Sequence, residues 1–421
     1  MAPPVTLTRA RLADVKRPAA VSDPRTLAEA ATIVSEVAGE GDEALRRLAE
    51  RFDGLAADAP LLIERPMLRA ARDALDANTR ALLERTAARI RTFAELQRES
   101  LREATLPLPG GACGHRIASV AAAGCYAPGG RYPLPSSVLM TAVTARAAGV
   151  ARVVVASPRP TAITLAAAAI ADADALLPIG GAQAVAALAY GTDSIEPVDV
   201  IVGPGNRWVT AAKQLVVGRV GIDGLAGPSE LVVLADDEAD PQLVAADLIA
   251  QAEHDPDAVP TLVTTSARLA DAVDGALAEQ LATLPTAETA TAALTRQGRA
   301  VICASLDEAI EACDRLAPEH LEVLTRNAEE VASRLQHWGG LFIGAGAAEV
   351  VGDYGAGPNH VLPTAGTARF TGGLSVLAFT RLRTWIRLDD RAAAAPLYQD
   401  AADLAALEGL EGHRRSALCR R

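Results

Sequence analysis

Short apolar runs alternate with longer amphipathic stretches along most of the chain. Arg152 to Ala156, Ala175 to Ile179, Val198 to Val202, Glu230 to Ala235, Thr261 to Thr265, Ala300 to Ala304 and Leu341 to Ile343 read as buried strands. Helical spacing at about 182–190, 207–217, 241–254, 267–282, 306–316 and 328–337 separates or follows them. Strands apolar on both faces, each followed by a helix, predict an α/β fold of parallel sheets covered by helices. They predict two such units rather than one long sheet. Ahead of them, residues 26–52 read as an amphipathic helix interrupted by Gly41, and Pro66 to Ser100 as one or two more. The Gly/Pro-rich stretch around Leu106 to Gly114 reads as a boundary. Ala392 to Ala417 reads as a small helical terminal domain. No short-period repeat and no long disordered segment interrupts the pattern.

Composition narrows the picture. A chain of 421 residues is long enough for two or more domains. Half its residues are hydrophobic but only 3% are aromatic, so Ala, Val and Leu carry the packing. The net charge is −12, and the densest basic stretches (Arg414-Arg415, Arg420-Arg421 and residues 381–387) are short. Neither nucleic acid nor an anionic membrane is expected as a partner. Asp172 and Asp174 break the Ala-rich run Thr161 to Leu177, which is therefore no membrane span, and no charged-then-apolar leader opens the chain. The five cysteines form no CxxC pair, which favours reduced thiols in the cytoplasm. A metal site here would have to be built without thiolates.

Four of the six histidines stand beside carboxylates, an amide or Gly/Pro turns: His254, His320, His360 and His413. Gln251 and His254, three apart, share one face of a helix. An amide oxygen and a neutral imidazole both bind divalent cations, and Asp353 and His413 could complete a nitrogen/oxygen set suited to zinc, cobalt or manganese. The alternative is that His254 caps a helix C-terminus. Glu319 and His320 follow Pro318 at a helix-to-strand junction. Such a pair can share proton transfers near neutral pH, or it can be an ordinary surface pair. Gly129-Gly130, Gly180-Gly181 and Gly203-Pro-Gly-Asn206 fall at or near strand ends. Either they bring backbone amides to phosphates or they are tight βα turns. None matches GxGxxG. Tyr126 and Asn206 are candidate ring-stacking and hydrogen-bonding groups.

The ordered set of these segments resembles the histidinol dehydrogenase family. Its members are Gly124 to Gly130, Gly180 to Gly191, Gly203 to Asn206, Ala226 to Glu230, Gln251 to Asp255, Ala317 to Leu321, Gly352 to Tyr354, Gly357 to Thr364 and Glu408 to His413. The resemblance implies a zinc-dependent homodimer of histidine biosynthesis. It would oxidise L-histidinol to L-histidine through the aldehyde with two NAD and one Zn2+ per subunit. It implies Gln251, His254, Asp353 and His413 as zinc ligands, which also lie at the substrate. Glu319 and His320 would transfer protons. Ser229, His360 and Glu408 would contact substrate, and Tyr126, Gln183 and Asn206 would contact NAD. The fold it implies has two Rossmann-like domains with small terminal segments. These would be an N-terminal segment 1–21, a catalytic unit of 22–125 plus 229–375, an NAD-binding unit of 126–228, and a C-terminal dimerisation segment 376–421. That last segment would bring Glu408 and His413 to the partner's site.

The sequence departs from the usual pattern at Arg131-Tyr132, at Gly344 to Glu349, which lacks Thr-Pro before Glu349, and at Trp385. Relatives that oxidise other small alcohols, such as sulfonated diols, are the alternative reading.

Overall fold

The computed structural model describes residues 5–16, 23–129 and 133–421. Two six-stranded sheets dominate it. The first runs, in spatial order, Ile63–Glu64, Ala175–Leu177, Arg152–Ala156, Ala122–Tyr126, Val200–Val202 and Gly221–Ile222. All its pairings are parallel except that of the Ile63–Glu64 edge. The second runs Thr8–Ala10, Arg299–Ile302, Val259–Thr264, Glu230–Ala235, His320–Leu324 and Gly340–Ile343, and is parallel throughout.

The two sheets share one winding. From a central strand the chain adds two strands on one flank, then returns to add two on the other. The topological switch point falls between Ala122–Tyr126 and Val200–Val202 in the first sheet, and between Glu230–Ala235 and His320–Leu324 in the second. The expected α/β architecture with two parallel-sheet units is thus observed.

Three expectations are corrected. Residues 26–52 form two helices, Pro24–Glu40 and Asp42–Asp53, because Gly41 at φ 60° ends one and starts the next. The stretch around Leu106 to Gly114 is a hairpin rather than a boundary. Strands Ala104–Leu108 and Gly111–Ser119 meet at Gly110 (φ 76°), and Thr380–Leu388 pairs along the outer side to complete a three-stranded antiparallel sheet. The Gly/Pro signal marked the turn between strands. Finally, the helices of residues 24–99 pack on the first sheet rather than the second. Leu68, Leu83 and Ile90 pack with Val138 and Val153, and Val34 and Leu45 with Leu177 and Leu188, all on the first sheet. Among the described residues before 100, only the strand Thr8–Ala10 pairs with the second sheet.

Alanine does the close packing that the low aromatic content requires. Helix Gly181–Tyr190 is buried from Ala182 to Ala189. The three tryptophans are spread out. Trp208 ties its helix to Glu29 through a 3.2 Å hydrogen bond, Trp338 lies against the second-sheet core, and Trp385 sits on the three-stranded sheet. Helices Ala395–Leu407 and Glu411–Leu418 pack principally on each other. Among the described residues no helix is long and apolar enough to cross a membrane, and all five cysteines are unpaired.

Phe379 is fully buried among Ile90, Val138 and Val143 and anchors the start of the terminal strand. Phe379→Ala should cost about 3–5 kcal/mol through the cavity it leaves. The expected reading is a lower urea midpoint at unchanged slope; an unchanged midpoint would deny Phe379 this role.

Candidate active site

The chemistry-bearing residues gather at the N-terminal edge of the second sheet. His320 opens its strand, beside Glu230, which opens the neighbouring one. His320 Nδ1 lies 3.0 Å from the Glu230 carbonyl oxygen. A carbonyl only accepts, so Nδ1 carries the hydrogen and a neutral ring presents its lone pair at Nε2. Nε2 is buried without a hydrogen-bond partner, 3.6 Å from Asp353 Oδ1. Glu319 Oε2 and Glu349 Oε1 lie 3.6 and 3.5 Å from Nδ1. Glu319 and His320 are therefore a buried pair, not a surface one.

Burial alone would push the His320 imidazole down, but Glu319, Glu349 and Asp353 outweigh it and raise it to about 10. Burial raises Glu319 to about 8 and Glu349 to about 7, each partly offset by His320. Asp353 stays below the usual carboxylate range, because His320, His360 and His254 more than cancel its burial. The ring keeps its proton while the carboxylates around it are charged. Compensating that charge would lower the ring's pKa and favour it as a base.

Gln251 and His254 come from the end of helix Pro241–Ala252. His254 Nε2 is 3.8 Å from Asp353 Oδ2, and among the described residues the ring bonds no helix carbonyl, which argues against the capping alternative. His254, Glu349 and Asp353 offer ligand atoms that all lie within 4.8 Å of one another. Gln251 is 0% exposed, yet neither its Oε1 nor its Nε2 has a partner, and Glu349 Oε2 is likewise unpartnered. Burying such groups unpaired costs on the order of 1–3 kcal/mol each. A divalent cation with nitrogen and oxygen donors would satisfy them, so the residues fit a metal site.

Glu349 was missed as a donor in the sequence. Its signal was its position four residues before Asp353, on the same helical face. Its backbone N–H donates to Glu322 Oε1 at 2.6 Å, which pins the turn that carries both. His413 and Glu408 are not brought to this group within one chain. Both are exposed on the terminal helices.

His360 links the two units. Its Nδ1 is 2.9 Å from the Asp353 carbonyl and its Nε2 is 3.4 Å from Ser137 Oγ, at the start of helix Pro135–Ala148 on the first sheet. Burial holds it below its ordinary pKa. Beside it, Asn359 donates to Met140 O at 2.8 Å and to Thr144 Oγ1 at 3.1 Å, and Arg89 donates to Gly355 O. A cavity of about 350 Å³ opens here between the units, lined among others by Phe93, His320, Phe342, Asp353 and His360. Ser229 immediately precedes Glu230 on the same edge, its carbonyl accepting from Val259 N at 2.9 Å.

The other candidates lie at the C-terminal edge of the first sheet. Tyr126 ends the central strand; its hydroxyl accepts from Gly181 N at 3.1 Å, and burial pushes it up to about 12. Gln183 is buried one turn into helix Gly181–Tyr190. Asn206 caps helix Arg207–Val216, its Oδ1 accepting from Trp208 N and Val209 N, both at 3.1 Å. That leaves the Asn206 Nδ2 hydrogens for another acceptor. Gly203 (φ 114°) lets the chain pass so close to Tyr126 that a Cβ would lie 2.0 Å from its carbonyl oxygen. A buried Lys213–Asp223 pair grips the same turn: Lys213 Nζ donates to Gly203 O at 3.1 Å, and Asp223 Oδ2 accepts from Gly203 N at 2.6 Å. Gly130, Arg131 and Tyr132 lie outside the described residues.

Comparison with known proteins finds relatives along nearly the whole chain. A family model described as histidinol dehydrogenase matches residues 16–421. The histidinol dehydrogenase of Parasynechococcus marenigrum is 47% identical over 390 residues, covering 91% of this chain and 88% of that one. That of Thermus thermophilus is 46% identical over 391 residues, covering 92% and 93%. The crystal structure of histidinol dehydrogenase from Elizabethkingia anophelis superposes with a TM-score of 0.90 at 29% identity and covers 98% of each chain.

His254→Ala and Asp353→Ala should each lose tightly bound zinc while keeping wild-type circular dichroism. Metal analysis of the purified variants decides; full zinc content in both would remove them from the cation's contacts.

Proposed function

The chain belongs to the histidinol dehydrogenase family, and we propose that it oxidises L-histidinol to L-histidine through the aldehyde, the closing reaction of histidine biosynthesis, using two NAD and one zinc ion per subunit. The observation that carries this reading is the buried His320, its Nδ1 hydrogen committed to the Glu230 carbonyl and its Nε2 free, beside a nitrogen/oxygen donor set whose Gln251 amide has no partner of its own.

In this reading Gln251, His254 and Asp353, with His413 of the partner subunit, hold the zinc. A bound zinc ion would supply a Lewis acid that anchors the imidazole and amine of the substrate. Bound NAD would supply the hydride acceptor for the carbinol carbon. The protein's residues do the rest. His320 Nε2 removes the hydroxyl proton. Glu319, held by the Glu230 N–H at 2.8 Å, activates the water that hydrates the aldehyde. Ser229, His360 and the partner's Glu408 contact the substrate, and Tyr126, Gln183 and Asn206 contact NAD. The cavity between the units shields the bound aldehyde from solvent. A cytoplasmic setting is part of the reading, supported by five unpaired thiols.

Histidinol with NAD and added zinc provides the test. Two NADH per histidinol are expected, and none of a panel of sulfonated diols should compete as substrate. One NADH with free aldehyde accumulating would overturn the four-electron scheme, and preference for a sulfonate would overturn the substrate. In the same assay His320→Asn should keep zinc but lose about 10²–10⁴-fold in turnover.

The assembly belongs to the same proposal. The terminal helices pack principally on each other and expose Leu404, Leu407 and Leu410, which supports a crossing to a two-fold partner. Mixing inactive His320→Asn and His413→Ala chains, after dissociation and reassociation, should restore activity toward about a quarter of wild type. Half of randomly assorted dimers are mixed, and each of these has one intact site of two. No recovery despite proven exchange would place His413 in its own chain's site.

A further inference from the structure

We propose that Asp53 is a positioning residue for the dinucleotide, fixing the orientation of the Gln183 amide; this rests on the reading of Tyr126, Gln183 and Asn206 as NAD contacts. Asp53 is the last residue of helix Asp42–Asp53, remote in sequence from every motif of the site, and only 8% exposed. Its Oδ2 accepts from Gln183 Nε2 at 3.0 Å and its Oδ1 accepts from Gly180 N at 3.2 Å. Among the described residues no cation forms a salt bridge with it, although the charge of Arg159 acts on it from farther away. An isolated buried carboxylate is costly unless hydrogen bonds compensate it. Burial accordingly raises its pKa, with Gln183, Gly180 and the more distant Arg159 charge opposing the rise.

The chemistry of the contact is one-directional. An ionised carboxylate only accepts, so the Gln183 NH₂ must face Asp53. The Gln183 Oε1 is then turned toward the Gly180-Gly181 turn, where a Cβ on Gly181 would lie 2.7 Å from it. Gly181 in turn donates to the Tyr126 hydroxyl. One buried charge thus sets two neighbouring groups at the strand end: it holds the Gly180 amide in the turn, and it presents an acceptor oxygen of fixed direction to a hydrogen-bond donor of the dinucleotide. Without Asp53 the Gln183 amide can flip, which replaces that acceptor with a donor.

The test uses the full-length zinc enzyme and compares Asp53→Asn, Gln183→Ala and the double variant, with NAD and histidinol varied separately. An asparagine fits the space but offers one acceptor oxygen, so it cannot serve both Gly180 N–H and Gln183 NH₂. Asp53→Asn should raise KM for NAD about tenfold, in keeping with loss of a charge-assisted hydrogen bond. KM for histidinol and zinc content should stay within about twofold. The double variant should be no worse than Gln183→Ala alone, because the asparagine oxygen can keep the Gly180 contact and the rest of the Asp53 effect runs through Gln183.

If Gln183→Ala raises KM for NAD and Asp53→Asn does not, the positioning role is wrong and the NAD site stands. If Gln183→Ala leaves KM for NAD unchanged, the reading of the NAD site itself fails. Additive effects, or an equal rise in KM for histidinol, would overturn the proposal in favour of general scaffolding. Should Asp53→Asn give no soluble enzyme, Gln183→Glu probes the same contact from the other side by replacing the donor with an acceptor. A KM for NAD raised at least as far as in Gln183→Ala supports the role, and a wild-type KM overturns it.

Discussion

The 3.0 Å hydrogen bond from His320 Nδ1 to the Glu230 carbonyl is the contact on which the rest of the site depends. It exists because two parallel strands begin side by side, with Leu231 opposite His320. It turns Nε2 toward Asp353, and so decides which nitrogen can act. Around the ring stand Glu319, Glu349 and Asp353, whose negative charge favours its protonated form while burial pushes both glutamates up. Positive charge placed at these carboxylates would weaken their hold on the ring's proton and favour the imidazole as a base.

The two sheets have the same winding but use opposite edges. The first follows the usual rule, with its turns at the C-terminal ends of the strands. The second carries its chemistry at the N-terminal ends, where Glu230, His320 and Gly340 begin their strands and where helix Pro241–Ala252 delivers Gln251 and His254. The segment from Gly355 to Thr364 makes the junction. Arg89, Met140, Thr144 and Ser137 hold it from the first unit, and Thr364 Oγ1 accepts from Gly227 N at 2.6 Å near its far end. The edge that carries His320 is thereby brought against the first unit, whose Phe93 and Gln97 help to line the cavity beside it.

Much of this was legible in the sequence, for identifiable reasons. Arg152–Ala156 and Glu230–Ala235 were read with their observed bounds, because β-branched runs apolar on both faces have few alternatives. Ala122–Tyr126 escaped notice: its small residues carry no strand preference of their own and are held by neighbours on both sides. The Leu106 to Gly114 stretch was misread because one Gly/Pro signal marks both linkers and hairpin turns. Gln251, His254, His320 and Asp353 stood out because histidine is scarce here and falls beside carboxylates, an amide or Gly/Pro turns, residue types that together make a nitrogen/oxygen donor set. Glu349 did not, since a lone glutamate on a short helix looks like surface. The raised carboxylates, and the convergence of 251–254 with 349–353, arise from tertiary burial that no local pattern encodes. The mutual packing of the helices bearing Glu408 and His413 is likewise a property of the folded chain.

The scarcity of aromatic residues has an optical consequence. The three tryptophans fall one to each structural layer: Trp208 in the first-sheet unit beside Asn206, Trp338 against the core of the second, and Trp385 on the three-stranded sheet. The Arg207 guanidinium lies 4.2 Å over the Trp208 ring, so that indole senses a charge at the edge where Asn206 caps its helix. Intrinsic fluorescence is therefore already partitioned by nature into three local signals. Chains that keep one indole each would let the unfolding of each layer be followed by its own emission, with no extrinsic dye.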